Sequence, residues 1–425
     1  MELPGVGKAK QEHWKVAGGC DRFKLLSSAR MLVDIEWLDN GMAIIDNILD
    51  KAVTVGASNV HISTGSPPMM RLHGDLIPMS QEEVTLEAAK TILLEILNEK
   101  QKDLILKTYK ELDFSYTSGS GQRFRVNIFR QRRGLDGNFH VIPSKIPTLK
   151  DLRLPSVLKD MCSLNQGLIL VTGSAGTGKT STLAAMIDQI NRTQQKHIIT
   201  LEDPIEFIHE NKLCMVNQRE RGAHFKTFAG ALRQTLRQDP DIILVGEMRD
   251  LETISMAITA AETGHLVLGT LHTLSAAKTL DRIIDVFPGH QRNQIRAMVS
   301  ESIRCVVCQN LLKSRDGKSR VLASEILIGI PAVAAQIRDA KTFQIPSIMQ
   351  MSHSVGMHLM DEDLVRLLKE NKINYDEALL HAHDPKYFVE ACQKENIGPF
   401  AKPDIEKEKS GKGSPRSWIL QKRGS

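Results

Sequence analysis

Residues 173–180 read Gly-Ser-Ala-Gly-Thr-Gly-Lys-Thr, and no other stretch constrains the fold of this 425-residue chain as strongly. The apolar run Leu168-Ile169-Leu170-Val171 precedes them, and Leu183, Ile187 and Ile190 follow at helical spacing. Strand, glycine-rich loop and helix in that order form the setting that a phosphate-cradling loop requires. Glycines let backbone N–H groups converge on phosphate oxygens at a helix N-terminus, where unpaired amides and the helix dipole both favour an anion. The candidate nucleotide-binding segment is therefore Gly173, Ser174, Ala175, Gly176, Thr177, Gly178, Lys179, Thr180 and Ser181. Lys179 can reach the β- and γ-phosphates, and the Thr180 hydroxyl can ligate Mg²⁺. A nucleoside triphosphate with Mg²⁺ is the implied ligand.

A chain of this length exceeds one ordinary domain, so two or three are expected. Residues 1–41 show weak periodicity and are expected to be an extension. Residues 42–142 have the pattern of a small α/β domain, in which Ser80 and Glu83 match a capping box that would start a helix. Pro143, Pro147 and Pro155 mark a linker over 143–155, because proline neither donates to a ladder nor tolerates helix before it. Over 156–393, apolar runs at 168–172, 198–202, 213–217, 242–246, 265–271 and 321–328 alternate with helical stretches. That alternation implies a largely parallel sheet covered on both faces. Residues 394–425 carry eight Lys/Arg against four Asp/Glu and are expected to be a disordered basic tail.

The formal net charge is +5, and the tail supplies most of it, leaving a nearly neutral body. Phosphate tracking needs a basic stripe, so no nucleic-acid partner is expected. No apolar run approaches the roughly 18–20 residues that span a bilayer, and residues 1–30 lack a signal-peptide core. A cytoplasmic location is expected. Cys305 and Cys308 have CxxC spacing without a second pair, whereas a zinc site usually needs four ligands.

Three further segments extend nucleotide binding toward hydrolysis. Residues 198–206 end a β-run in the acids Glu202, Asp203 and Glu206, one of which could activate an attacking water. Ile242-Ile243-Leu244-Val245-Gly246-Glu247 reads as a buried strand that delivers a carboxylate to its C-terminal end, where Mg²⁺ can be held directly or through water. His265 and His272 bracket a third strand; a polar group at such a strand end could sense the γ-phosphate, although on the residues alone satisfied structural histidines are the better reading.

These segments, with Met215-Val216-Asn217-Gln218-Arg219-Glu220 and LRQDPDIILVGEMRDLET, closely resemble the type IV pilus retraction ATPases (PilT/PilU type) of the secretion ATPase superfamily. The resemblance covers about residues 42–390. It implies a RecA-like P-loop NTPase core preceded by a small PAS-like α/β domain. It also implies a homohexamer at the inner-membrane pilus base, peripheral to the membrane, with a platform protein and a paralogous retraction ATPase as partners. By this resemblance Glu206 matches the catalytic base, Glu202 and Asp203 the rest of the acidic box, and Glu247 the metal-holding acid. His265 and His272 match the histidine pair. Arg123, Arg125 and Arg133 match arginine-rich strands that face a neighbouring nucleotide site, where an arginine supplied in trans can contribute ~10³–10⁵ in rate. The retraction signature departs at Ala334, which replaces an arginine, while Arg338 is kept; His140 likewise stands where arginine is usual. Beside a retraction motor, the sequence leaves open a secretion or conjugation traffic ATPase, an accessory paralogue, and a non-hydrolysing scaffold.

Overall fold

A computed structural model describes residues 43–400 apart from His73, Tyr109 and Ser144. The expected extension over 1–41 and residues 401–425 of the expected tail lie outside the described residues. The chain forms two compact units: one takes in residues up to Leu112, 118–120 and 127–140, the other 113–117, 121–126 and 141 onward.

The first elements in the chain are α1 (Ile44–Thr54), β1 (Asn59–Ile62), β2 (Met69–Leu72), β3 (Asp75–Pro78), α2 (Leu86–Glu95) and α3 (Glu99–Lys107). β4 (Leu112–Thr117), β5 (Arg123–Gln131) and β6 (Gly134–Ile142) follow, and the sheet order is β3-β2-β1-β6-β5-β4. α1 is a helix because Ile45, Ile48, Leu49 and Ala52 recur at helical spacing and are all buried. α2 does not begin at the Ser80/Glu83 pattern; its N-cap is Thr85, whose side chain accepts from the Ala88 amide. The reason is tertiary. Val84 donates to Ser66 and accepts from Gly65 through its backbone, which holds residues before Thr85 out of the helix. α2 then packs so closely on β6 that a Cβ on Gly137 would lie 2.5 Å from Leu93 Cδ2. β5 alternates, burying Phe124, Val126 and Ile128 and putting Arg123 and Arg125 on the opposite face.

The second unit continues with α4 (Val157–Met161), β7 (Gly167–Thr172), α5 (Lys179–Thr193), β8 (His197–Glu202), β9 (Met215–Glu220) and α6 (Phe228–Thr235). Next come β10 (Ile242–Val245), α7 (Leu251–Glu262), β11 (Leu266–Leu271), α8 (Ala276–Asp285), α9 (Arg292–Ser302), β12 (Ile303–Lys313) and β13 (Arg320–Ile328). The chain then forms α10 (Pro331–Arg338), α11 (Ile345–Met351), α12 (Met360–Lys369), α13 (Tyr375–His381) and α14 (Pro385–Lys394). A short 3₁₀ turn at Gly398–Phe400 follows α14, and Ile397 and Phe400 pack on the C-terminal helical core, so residues 394–400 are ordered.

The seven-stranded sheet has the order β13-β12-β7-β11-β10-β8-β9 and is parallel except for β13. Both faces of its central strands are buried. Successive residues of β7 alternate between two cores, Leu168 and Leu170 entering one and Ile169 and Val171 the other. This is why the strand reads as an unbroken apolar run. β12 is absent from the runs expected from sequence, although it pairs with β7 on one side and β13 on the other. Cys305 and Cys308 lie on it and enter opposite cores, so the pair cannot converge on one metal ion. Burial pushes both thiols well above the ordinary range.

Candidate active site

Four adjacent strands, β7, β11, β10 and β8, run parallel, and each carries chemistry on the loop after its C-terminal end. The loop after β7 is the glycine loop, and β11 leads to His272, β10 to Glu247 and β8 to the acidic box. The C-terminal edge of a parallel sheet is where such folds bind ligands.

In the loop, Gly173, Gly176 and Gly178 have φ of +141°, +76° and +85°, which L side chains rarely adopt. A Cβ on Gly173 would also lie 2.4 Å from the Gln309 carbonyl oxygen. Gln309 is on β12, so the strand missed from sequence forms the wall behind the loop. Its Nε2 donates to Thr182 Oγ1 at 2.7 Å, tying that wall to α5. Thr177 is buried, and its hydroxyl donates to the Ser174 carbonyl at 2.9 Å, while Ser174, Ala175 and Gly176 stay exposed. Lys179 Nζ donates to the Gly173 and Ser174 carbonyls at 2.9 and 2.7 Å, holding the ammonium over the loop. Burial lowers its pKa from the usual lysine value, and the nearby Glu247 carboxylate opposes that shift. Gly178 caps α5 without a side chain, so the first-turn amides, including those of Thr180 and Ser181, remain available to an anion.

Gly246 and Glu247 follow β10. A Cβ on Gly246 would lie 2.9 Å from the Leu201 carbonyl, so β10 and β8 approach here as only glycine permits. The Glu247 carboxylate accepts from His272 Nε2 at 2.9 Å and pairs with Arg249. Burial pushes this carboxyl up, but Arg249 and His272 outweigh it and hold it below the usual range. His265 does not join this group. It precedes β11, where its Nδ1 lies 3.1 Å from the Ala260 carbonyl and its own carbonyl accepts from Gly167, the first residue of β7. A six-residue strand separates it from His272, roughly 20 Å at about 3.3 Å per residue.

The acidic box begins as β8 ends. Glu202 is half-buried, and its Oε1 accepts from Thr200 Oγ1 at 2.6 Å and Gln218 Nε2 at 3.0 Å. Desolvation raises its carboxyl to about 7 against those two bonds. Asp203 turns outward and accepts from Arg221 at 2.9 Å. Glu206 is partly accessible, and Arg125 Nη1 lies 3.4 Å from its Oε1. Arg123 donates to the Glu206 and Ile205 carbonyls at 2.8 and 3.0 Å. Both arginines are therefore engaged with the acidic loop of their own chain. Arg133 belongs to the first unit, where its guanidinium meets the Gly65 carbonyl at 3.4 Å. Ala334 is half-buried on α10, and Arg338 donates to Ser300 Oγ on α9 at 3.4 Å.

The type II/IV secretion system protein family profile matches residues 151–377. The chain is 47% identical over 345 residues to the type IV pilus retraction ATPase PilT of Pseudomonas aeruginosa, covering 81% of this chain and 99% of that protein. The type IV pilus ATPase PilU of the same organism is 37% identical over 79% of this chain and 88% of its own length. A crystal structure of the pilus retraction motor PilT with bound ADP superposes with a TM-score of 0.74 at 42% identity, covering 81% of this chain and 98% of that one. This chain is thus a nucleotide-binding ATPase of the type II/IV secretion system protein family, and belongs within it to the type IV pilus retraction ATPases.

Proposed function

We propose that the protein is the motor of type IV pilus retraction, hydrolysing ATP as a homohexameric ring on the cytoplasmic face of the inner-membrane pilus base. The observation that carries this reading is the convergence of the glycine loop, His272, Glu247 and the acidic box on one edge of the sheet. Among the described residues, no helix is long and apolar enough to cross a membrane, in keeping with peripheral attachment.

Lys179 and the amides of residues 176–181 bind the phosphates. The glycine cradle leaves no Cβ in their path, and Thr180 and Glu247 form an oxygen-donor pair suited to Mg²⁺, Glu247 partly through water. A Mg²⁺ ion held by these two residues would supply charge neutralisation to the phosphates. Glu206 accepts the proton of the attacking water, and Arg123 and Arg125 hold the loop and carboxylate that do so. His272 fixes the orientation of Glu247. A membrane platform protein is the expected recipient of the motion.

A deletion strain complemented with wild type or Lys179→Ala tests the reading. Surplus surface pili without twitching, rescued only by wild type, is the expected result. A strain that loses surface pili altogether refutes retraction. Ala334 on α10 favours a second reading, an accessory motor working beside a paralogue. That reading expects twitching to survive the deletion and to fail only when the paralogue is lost as well.

A further inference from the structure

Parallel neighbours in a sheet are ordinarily joined through a helix that satisfies its own backbone. The connection from β8 to β9, residues 203–214, contains neither helix nor strand, yet it carries Glu206. Its backbone groups must find partners elsewhere, and long irregular connections inside a domain are usually functional. On the N-terminal side of Glu206, the Ile205 amide donates to Glu220 Oε2 at 3.0 Å. On the C-terminal side, Gln218 Nε2 donates to the Phe207 carbonyl at 2.8 Å, and the His209 amide donates to Gln218 Oε1 at 2.8 Å. Gln218 and Glu220 are two apart on β9, so both project from one face of the strand. Their register partners on β8 are Thr200 and Glu202, the residues leading into the acidic loop. Gln218 also donates to Glu202, and Ser115 donates to Glu220 at 3.3 Å.

We infer that Gln218 and Glu220 are positioning residues for hydrolysis, clamping the backbone on both sides of Glu206 so that its carboxylate is presented to the attacking water. Neither contacts the Glu206 carboxylate in the hydrogen bonds above; each acts through the main chain. The inference rests on Glu206 being the base.

The test uses full-length protein, steady-state ATPase kinetics and equilibrium binding of a fluorescent ATP analogue. Gln218→Leu and Glu220→Ala should each lower kcat by about tenfold to a hundredfold, the loss expected from a displacement near 1 Å. Analogue affinity should stay unchanged, because the phosphate loop is intact. Glu220→Gln keeps an oxygen for the Ile205 amide and should recover most of the rate; being isosteric, it also guards against a variant that simply unfolds. Glu206→Gln is measured alongside and should be inactive. If Glu206→Gln turns over normally, the parent reading fails. If Glu206→Gln is inactive while Gln218→Leu and Glu220→Ala turn over at the wild-type rate, this inference alone is overturned. It is overturned equally if Glu220→Gln is no better than Glu220→Ala, or if analogue binding weakens in step with kcat.

Discussion

Replacing Glu202 by glutamine should stabilise the nucleotide-free protein at pH 8 and change it far less at pH 5. In the folded chain its carboxyl is raised to about 7 from an ordinary 4.5, chiefly by desolvation. Between those values the folded state binds more protons than the unfolded state, so stability falls as pH rises. The cost is absent well below pH 4.5 and complete above pH 7. At about 1.36 kcal/mol per pH unit, a displacement of about 2.5 units sets an upper bound near 3 kcal/mol at pH 8, against about 1 kcal/mol at pH 5. Glutamine resembles the neutral acid in shape. It can also keep the local geometry, because Thr200 and Gln218 both donate to a single oxygen, Oε1, which the amide carbonyl can replace. Urea unfolding of wild type and Glu202→Gln at pH 5, 6, 7 and 8 reads the difference directly. The variant's advantage should grow with pH and level off above about 7.5, since little of the carboxyl remains to ionise there. An advantage that is flat across this range, or that shrinks toward pH 8, would refute the claim that a desolvated, ionising Glu202 burdens the fold.

Three other outcomes follow from the same structure. Gly173→Ala places a Cβ 2.4 Å from the Gln309 carbonyl at a φ of +141°, so the loop must shift; analogue affinity should drop at least about tenfold, as isothermal titration would show. His272→Ala leaves Glu247 to Arg249 alone, and stopped-time ATPase assays should show turnover falling about tenfold, while equilibrium analogue binding is retained. All five cysteines among the described residues are buried, so an aromatic disulfide reagent at pH 8 should titrate at most one of the six thiols per native chain, and all six once the chain is unfolded in urea.

The core of the second unit was legible because its signals are extreme. Glycines at 173, 176 and 178 occupy backbone conformations that other residues avoid, and β7, β10 and β11 are buried on both faces, so they read as unbroken apolar runs. β12 escaped because Arg304, Gln309 and Asn310 interrupt its apolar pattern; its place is set by pairing to β7 and β13, which a local pattern does not record. The start of α2 shows the same competition. Ser80 and Glu83 satisfy a capping pattern, but backbone bonds from Val84 to Ser66 and Gly65 hold the segment out of the helix, and Thr85 takes the cap. The histidines are a different case, since strand direction already separated them. In a parallel sheet whose chemistry gathers at C-terminal ends, only the residue after β11 can share the edge with the glycine loop, and that residue is His272.

On the proposed reading, the acidic box divides along a physical line between groups that do chemistry and groups that hold them. Glu202, Asp203 and Glu206 announced themselves by the density of charge after an apolar strand. The holding roles of Gln218, Glu220 and Arg123 did not show in the same way, because what matters about them is where their donors and acceptors fall on another segment's main chain. A glutamine that spans a carbonyl and an amide near Glu206 looks in sequence like any polar residue of an edge strand. The resemblance implies that Arg123 faces a neighbouring nucleotide site; within this chain its guanidinium, with five donors, is well matched to the adjacent carbonyls of Ile205 and Glu206 and donates to both. A loop without helix or strand has many backbone groups to satisfy, so it recruits polar side chains from several elements. The conformation of the Glu206 loop then depends on β5 and β9 as much as on its own sequence. Any nucleotide-driven shift that pulls Arg123 from those carbonyls would therefore release Glu206 from one of its restraints without touching the phosphate loop.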